Sequence, residues 1–266
     1  MSWQAWFDHL DSLPAAVVVV VGFVAVTLVA GRLIVKFAPN EIMREHNELA
    51  GFIFAVVGVV YAVVLGFVSV GVWERFETEG SRAYAEVGGL TATYRNAGLF
   101  EGDRIVVRRD LRRYVDDVIT KAWPDMELGI SSHQTDDAAE RLARDVERLR
   151  PQNVAQQNAQ AEMLADVDQS LADRDMRLGD GVTGLNGVMW GALLLGAAIT
   201  IGFSLFFGFK SAPLQMLMTG SLAGIIGIMI FLILALDTPY GGGISIHPDA
   251  FERALGTFSQ IDAAQR

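Results

Sequence analysis

Residues 49–73 read LAGFIFAVVGVVYAVVLGFVSVGVW, 25 positions without one charged side chain. The hydrocarbon core of a bilayer is about 30 Å thick and takes roughly 20 apolar residues of helix, so this run is long enough to cross it. Within it Gly51, Ala55, Gly58, Ala62, Gly66 and Ser69 fall on one face at about 100° per residue. The same line continues past the apolar run through Trp73, Phe76, Gly80, Ala83, Val87, Leu90 and Tyr94. The spacing therefore predicts a single long helix with one continuous seam. At ~1.5 Å per residue it reaches roughly 70 Å, well beyond a bilayer. Gly88 and Gly89 are the positions where it could bend.

Three further uncharged runs flank this one, at residues 12–31, 181–209 and 211–236. Core helices of water-soluble proteins seldom stay uncharged for so long, and the chain as a whole is 52% hydrophobic with a mean hydropathy of +0.33. These features predict an all-α membrane protein with four transmembrane helices and an extramembrane helical insert between the second and third. The segmentation expected is helices 1 and 2 in residues 1–73, a helical bundle in 74–180, helices 3 and 4 with a C-terminal turn in 181–255, and a polar tail in 256–266. Residues 1–11 hold two Asp and no Lys or Arg, unlike the positive lead of a signal peptide, so the first helix reads as uncleaved. Arg32, Lys36 and Arg44 in the first short loop and Lys210 in the other place the short loops in the cytoplasm of a bacterial-type inner membrane.

The insert is the charged part, with 22 acids and 15 bases in residues 74–180. Its periodicity predicts a helix from about Asp103 to Ala122, stopped by Pro124, then helices over 136–149 and 155–178. Arg108, Arg109, Arg112 and Arg113 form its densest basic cluster. Arg112 with Asp116 and Arg113 with Asp117 are spaced i,i+4, which reads as a salt-bridged surface that needs no anionic ligand.

Several function classes are excluded or disfavoured. A net charge of −10 without a basic, aromatic-interleaved stretch argues against nucleic acid. No cysteine means no disulfide, thiolate metal site or cysteine nucleophile. His46 has no second histidine at i+4, no hydrolase, phosphate-loop or zincin motif occurs, and neither metal, cofactor nor enzymatic activity is expected. No ionisable residue falls inside any span, which disfavours proton-coupled transport. A passive pore needs none, because a hydrophobic constriction can gate and charged rings at its mouths can select.

The candidate functional residues follow from that reading. The stripe Gly51, Ala55, Gly58, Ala62, Gly66 and Ser69 permits close helix approach and serves either packing or pore lining. Thr200, Ser204 and Gly208, and Gly220 with Gly224, carry the packing theme to the third and fourth helices. Glu74, Glu77 and Glu79 after the second span, and Asp237 at the end of the fourth, are candidate pore-mouth acids, or alternatively paired and solvated ones. His46 and Asn47, beside Glu45 and Glu48, form a polar cluster at the start of the second span, either at a pore mouth or as an interfacial helix start.

Several of these marks align with a known family: His46-Asn47 leading into Gly51-Phe52, then Gly58, Tyr61 and Trp73, Tyr114 with Trp123, Trp190, and Leu236-Asp237-Thr238-Pro239-Tyr240-Gly241. Over roughly residues 39–251 the chain resembles the bacterial bestrophin-like family, distant kin of bestrophins. The resemblance implies a pentameric channel of four-helix subunits whose second helices surround the pore and continue into an extramembrane helical region. The calcium-binding acidic run of animal bestrophins has no counterpart here, so calcium gating is not implied. Bestrophin topology also puts the insert in the cytosol, opposite to the loop-charge reading. The expected protein is a homo-oligomeric channel in the lipid bilayer that passes an inorganic ion with a preference for cations. The alternative is a non-conducting membrane scaffold or sensor whose insert binds a partner protein.

Overall fold

A computed structural model describes residues 12–37, 47–181, 183–207 and 211–265. The described residues are helical throughout their regular structure: α1 Ser12–Phe37, α2 Asn47–Asn96, α3 Arg104–Asp117, α4 Trp123–Glu127, α5 Asp136–Glu147, α6 Val154–Asp180, α7 Gly187–Leu205, α8 Ala212–Asp237 and α9 Asp249–Ala264. Four of them, α1, α2, α7 and α8, are long and apolar enough to cross a membrane. The chain divides into two compact units, one of residues 1–74 and 184–237, the other of residues 75–183 and 238–266. The long second helix is found as the spacing predicts, unbroken through Gly88 and Gly89.

In the first unit α1 lies along α8, and small residues set the approach. A methyl group on Gly227 would come within 3.2 Å of the Val20 backbone, and Gly220 and Gly224 face Val24 at 3.9 and 3.8 Å. Close backbone contact of this kind is a main source of helix association in lipid. Asn186 caps α7 by accepting the Met189 N–H at 2.8 Å. At the other end of α7, the Gln215 amide donates to the carbonyls of Leu205 and Phe207 at 3.4 and 3.2 Å. Other hydroxyls bond within their own helices, Thr27 to Phe23, Ser69 to Leu65, Ser204 to Ile201 and Thr219 to Gln215, so these four are satisfied locally, while the buried Thr200 hydroxyl of α7 has no partner among the described residues.

The second unit is a bundle of the C-terminal half of α2 with α3 to α6 and α9. Its core holds Leu90, Tyr94, Leu111, Tyr114, Trp123, Met126, Leu142, Met163, Phe251 and Phe258. Two details depart from the sequence reading. Pro124 does not stop the helix, which passes from α3 through a π turn at Val118–Ala122 into α4. The proline is the second residue of α4, directly after the π turn in which the Trp123 N–H bonds the Val118 carbonyl, so the helix continues past a residue that cannot donate to its ladder. Residues 256–264, read as a polar tail, belong to α9, with Phe258 fully buried and stacked on Tyr94 at 4.0 Å. The tail looked polar because one apolar residue per turn suffices for a helix lying on a finished core.

Asp262 fastens α9. It accepts from the Tyr94 hydroxyl at 2.7 Å, Arg112 at 2.9 Å and Arg108 at 3.0 Å. Burial works to raise its pKa, but hydrogen bonds from Tyr94 and Arg112 and the charges of Arg112 and Arg108 outweigh it and hold the carboxyl below its ordinary 3.8. A depressed carboxyl contributes stability that is complete above its unfolded value and is lost as pH falls through the folded one. Limited proteolysis is thus expected to leave α9 protected at pH 5 and to release it increasingly below about pH 3.8. Asp262→Asn should loosen α9 at neutral pH and remove that part of the acid response. An acid profile identical in parent and variant would contradict the assignment.

Candidate functional site

Among the described residues, the apolar half of α2 is anchored in its own unit along one edge. Tyr61, Leu65 and Val72 are buried there. The Tyr61 ring lies over Gly196 of α7, where a methyl group would come within 2.5 Å of two ring carbons, and its hydroxyl donates to the Leu193 carbonyl at 3.0 Å. Phe54 meets Phe207 edge to face at 5.5 Å. The small-residue stripe lies about a quarter turn away from this edge. Ala55 and Ala62 are exposed, and a methyl group on Gly58 or Gly66 would meet nothing within 4 Å. Gly51 is the member nearest a neighbour, 3.7 Å from Phe207. The large residues that flank the stripe are open as well, Phe52 at 73% and Phe67 at 76% exposure. Among the described residues, packing within one chain leaves this face of α2 uncovered.

The candidate acids separate into two kinds. Glu74 and Glu77 are exposed. Glu79 is buried, bonded to Arg82 at 2.5 Å and accepting from the Tyr240 hydroxyl at 3.2 Å. Asp237 is 1% exposed and accepts the Leu185 backbone N–H at 2.6 Å and the Trp190 indole N–H at 3.2 Å. Gly184 makes room for it, since a methyl group there would come within 2.7 Å of its carboxylate. Assembly can only bury a group further, so the Asp237 carboxylate acts here as a clamp on the start of α7. Asn47 opens α2, and His46 lies outside the described residues, as do Arg44, Gly208 and Lys210.

Sequence reasoning missed the most polar part of the second unit. Glu86 of α2 and Arg177 of α6 form a fully buried ion pair, with nitrogen to oxygen distances of 2.8 and 3.1 Å. The Tyr114 hydroxyl donates to the same carboxylate at 2.7 Å, and Ser170 donates to the Glu86 backbone carbonyl at 3.0 Å. Arg177 also lies over the rings of Trp123 and Phe251, at 5.5 and 5.4 Å. Burial acts against the Arg177 charge, but the charge and hydrogen bonds of Glu86 outweigh it and raise the pKa, so the guanidinium stays protonated. Burial first, then the Glu86 charge, push the Tyr114 hydroxyl well above the ordinary tyrosine range. The signal was present: Glu86 falls on the seam between Ala83 and Leu90, where a charge must be paired to be tolerated.

The basic cluster is also wired differently from its sequence spacing. Arg113 does reach Asp117, at 4.0 Å, but the nearest acid to Arg112 is Asp262 of α9. Tertiary packing brought an acid from 150 residues away and displaced the local i,i+4 pair.

Comparison with known proteins gives this geometry its context. A family model described as the bestrophin-like domain matches residues 21–251. The crystal structure of a bacterial bestrophin homolog from Klebsiella pneumoniae, carrying a tyrosine-to-alanine mutation, aligns with a TM-score of 0.66 over 93% of this chain and 98% of that one. Sequence identity is 10%, so that likeness concerns the fold alone. No curated protein matches. With the match of the family model across most of its length, the chain belongs to the bestrophin-like family.

Proposed function

We propose that this protein is an integral membrane, homo-oligomeric channel of a bacterial inner membrane, in which α2 lines or braces an axial path for an inorganic ion. The observation that carries the reading is the uncovered stripe of α2: a helix this apolar, held by its own chain along one edge, has its other faces available to lipid and to copies of itself. Family membership supports conduction over a scaffold role. The uncharged runs of the four spans hold no Asp, Glu, Lys, Arg or His to bind a coupled proton, which favours passive flow.

Cation preference rests on Glu74 and Glu77, which symmetry would multiply into rings, while Asp237 shapes the helix that carries its partners. Acidic rings concentrate cations, and their reach falls as the Debye length shrinks from roughly 30 Å at 0.01 M to about 3 Å at 1 M salt. Reconstituted protein in asymmetric salt is expected to give a cation-selective reversal potential that weakens with ionic strength and shifts toward zero in Glu74→Gln/Glu77→Gln. Anion selectivity, or selectivity indifferent to the double substitution, would remove the acids from the proposal. Absence of flux in every salt and at both polarities would remove conduction itself and favour the scaffold.

The loop charges support an insert outside the cytoplasm. His133 is a suitable reporter, with a side chain 82% exposed in a chain free of cysteine. His133→Cys is expected to react with an impermeant maleimide added to the outer face of the inner membrane. Reaction only in inverted vesicles would assign the opposite orientation, the one bestrophins have.

A further inference from the structure

A cavity of about 320 Å³ in the second unit is lined by four arginines of α3, Arg104, Arg108, Arg109 and Arg112, together with Tyr94 and Asp262. Its volume lies at the small end of ligand pockets, which run from roughly 300 to 1,000 Å³. Two of the guanidiniums are fixed in place. Arg108, more than nine-tenths buried, donates to the Tyr94 carbonyl at 3.1 Å, Asp262 at 3.0 Å and Gln265 at 2.7 Å. Arg112 donates to the Tyr94 hydroxyl at 3.0 Å and to Asp262 at 2.9 Å. Both lie against the Tyr94 ring, at 4.7 and 5.4 Å. Arg109 is paired with Asp110 at 3.0 Å, and Arg104 makes no ion pair among the described residues. Among the residues that line the concavity one carboxylate, Asp262, stands against four guanidiniums, while Asp110 and Asp145 act on Arg109 from outside it.

We propose that this cavity is a binding site for a small phosphate-bearing anion. The surplus of guanidiniums over carboxylates in the lining suits an anion, and guanidinium forks fit phosphate oxygens two at a time. Tyr94 and Asp262 hold two of the forks before a ligand arrives, which reduces the ordering cost of binding. Arg104 is the first residue of α3, where the positive end of a 14-residue helix adds to the attraction. Exposed Ile105 gives one apolar edge to the rim. A polyanion such as nucleic acid is disfavoured, because a chain of net charge −10 repels it everywhere beyond this one hollow. The proposal is independent of conduction.

The test is calorimetric titration of the full-length protein in detergent with inorganic pyrophosphate at about 0.15 M salt, where a Debye length of roughly 8 Å suppresses diffuse attraction. One equivalent per chain is expected to bind saturably. Arg104→Gln and Arg109→Gln, neither of which touches the Asp262 clasp, are each expected to weaken binding about tenfold, the loss of one charge-assisted hydrogen bond. Arg113→Gln, on the same helix but outside the cavity, is expected to leave it unchanged, and thermal unfolding without pyrophosphate should match the parent in Arg104→Gln and Arg113→Gln. Absence of saturable binding, or an equal loss in Arg113→Gln, overturns the site. Repeating the titration in phosphatidylcholine nanodiscs with and without phosphatidic acid identifies the source. Competition by phosphatidic acid assigns a lipid headgroup, and unchanged binding assigns a soluble phosphate.

Discussion

Glu86→Leu is expected to destabilise the extramembrane unit by about 3–5 kcal/mol, because it leaves the Arg177 guanidinium buried, charged and without its carboxylate. Arg177→Met should cost a similar amount by stranding Glu86 with only the Tyr114 hydroxyl. Thermal unfolding followed through Trp123 fluorescence or circular dichroism reads both. The double variant Glu86→Leu/Arg177→Met is the informative one. Replacing both ions by apolar groups removes two desolvation penalties as well as one attraction, so much of the loss should return. Single variants that cost less than about 1 kcal/mol would mean that water reaches the pair, as it does in surface salt bridges. A double variant no better than the singles would place the contribution of these residues in packing.

The second large effect is expected at Gly196. Any side chain there meets the Tyr61 ring, and overpacking of this kind costs about 1–3 kcal/mol. Gly196→Val should push the ring aside, break its hydroxyl's bond to the Leu193 carbonyl and loosen α2 along its one anchored edge. The expected readout is a lower midpoint in heat-induced loss of the folded protein on size exclusion. Tyr61→Ala in the same chain removes the obstacle, so the two changes together should cost less than their sum. Strict additivity would show that the two residues do not oppose each other in the folded protein.

Much of the architecture was legible because lipid imposes a simple code. Uncharged runs of the right length announce spans, and the seam from Ala83 to Tyr94 announces burial by the period of the helix. What stayed hidden depends on contacts between distant segments. Asp237 stood open between a paired acid and a pore-mouth acid, because nothing local indicates that the Leu185 amide and the Trp190 indole converge on it. Arg112 looked paired with Asp116 because the i,i+4 rule knows only the helix it is applied to. Tyr240 has a visible place in the family's motif, yet its work is tertiary: its hydroxyl bonds Glu79 and its ring meets Trp123 edge to face at 5.3 Å. Gly242, with φ of 78°, follows because the chain must turn there through a region that side chains avoid.

The hydroxyls that bond within their own helices bear on how such a chain enters a bilayer. A span whose Ser and Thr groups are already satisfied can leave the translocation machinery alone, since no polar atom waits for a neighbour in hydrocarbon. This holds for α1, where Thr27 bonds Phe23, whereas in α2 Ser69 bonds Leu65 but the Tyr61 hydroxyl finds its acceptor on the Leu193 carbonyl of α7. It does not hold for α8. Its Gln215 amide is buried and finds its acceptors on the carbonyls that end α7 and follow it. Released singly, α8 would carry that amide bare into lipid. Biogenesis of the first span is therefore expected to proceed as a single helix, and that of the last two as a preformed hairpin.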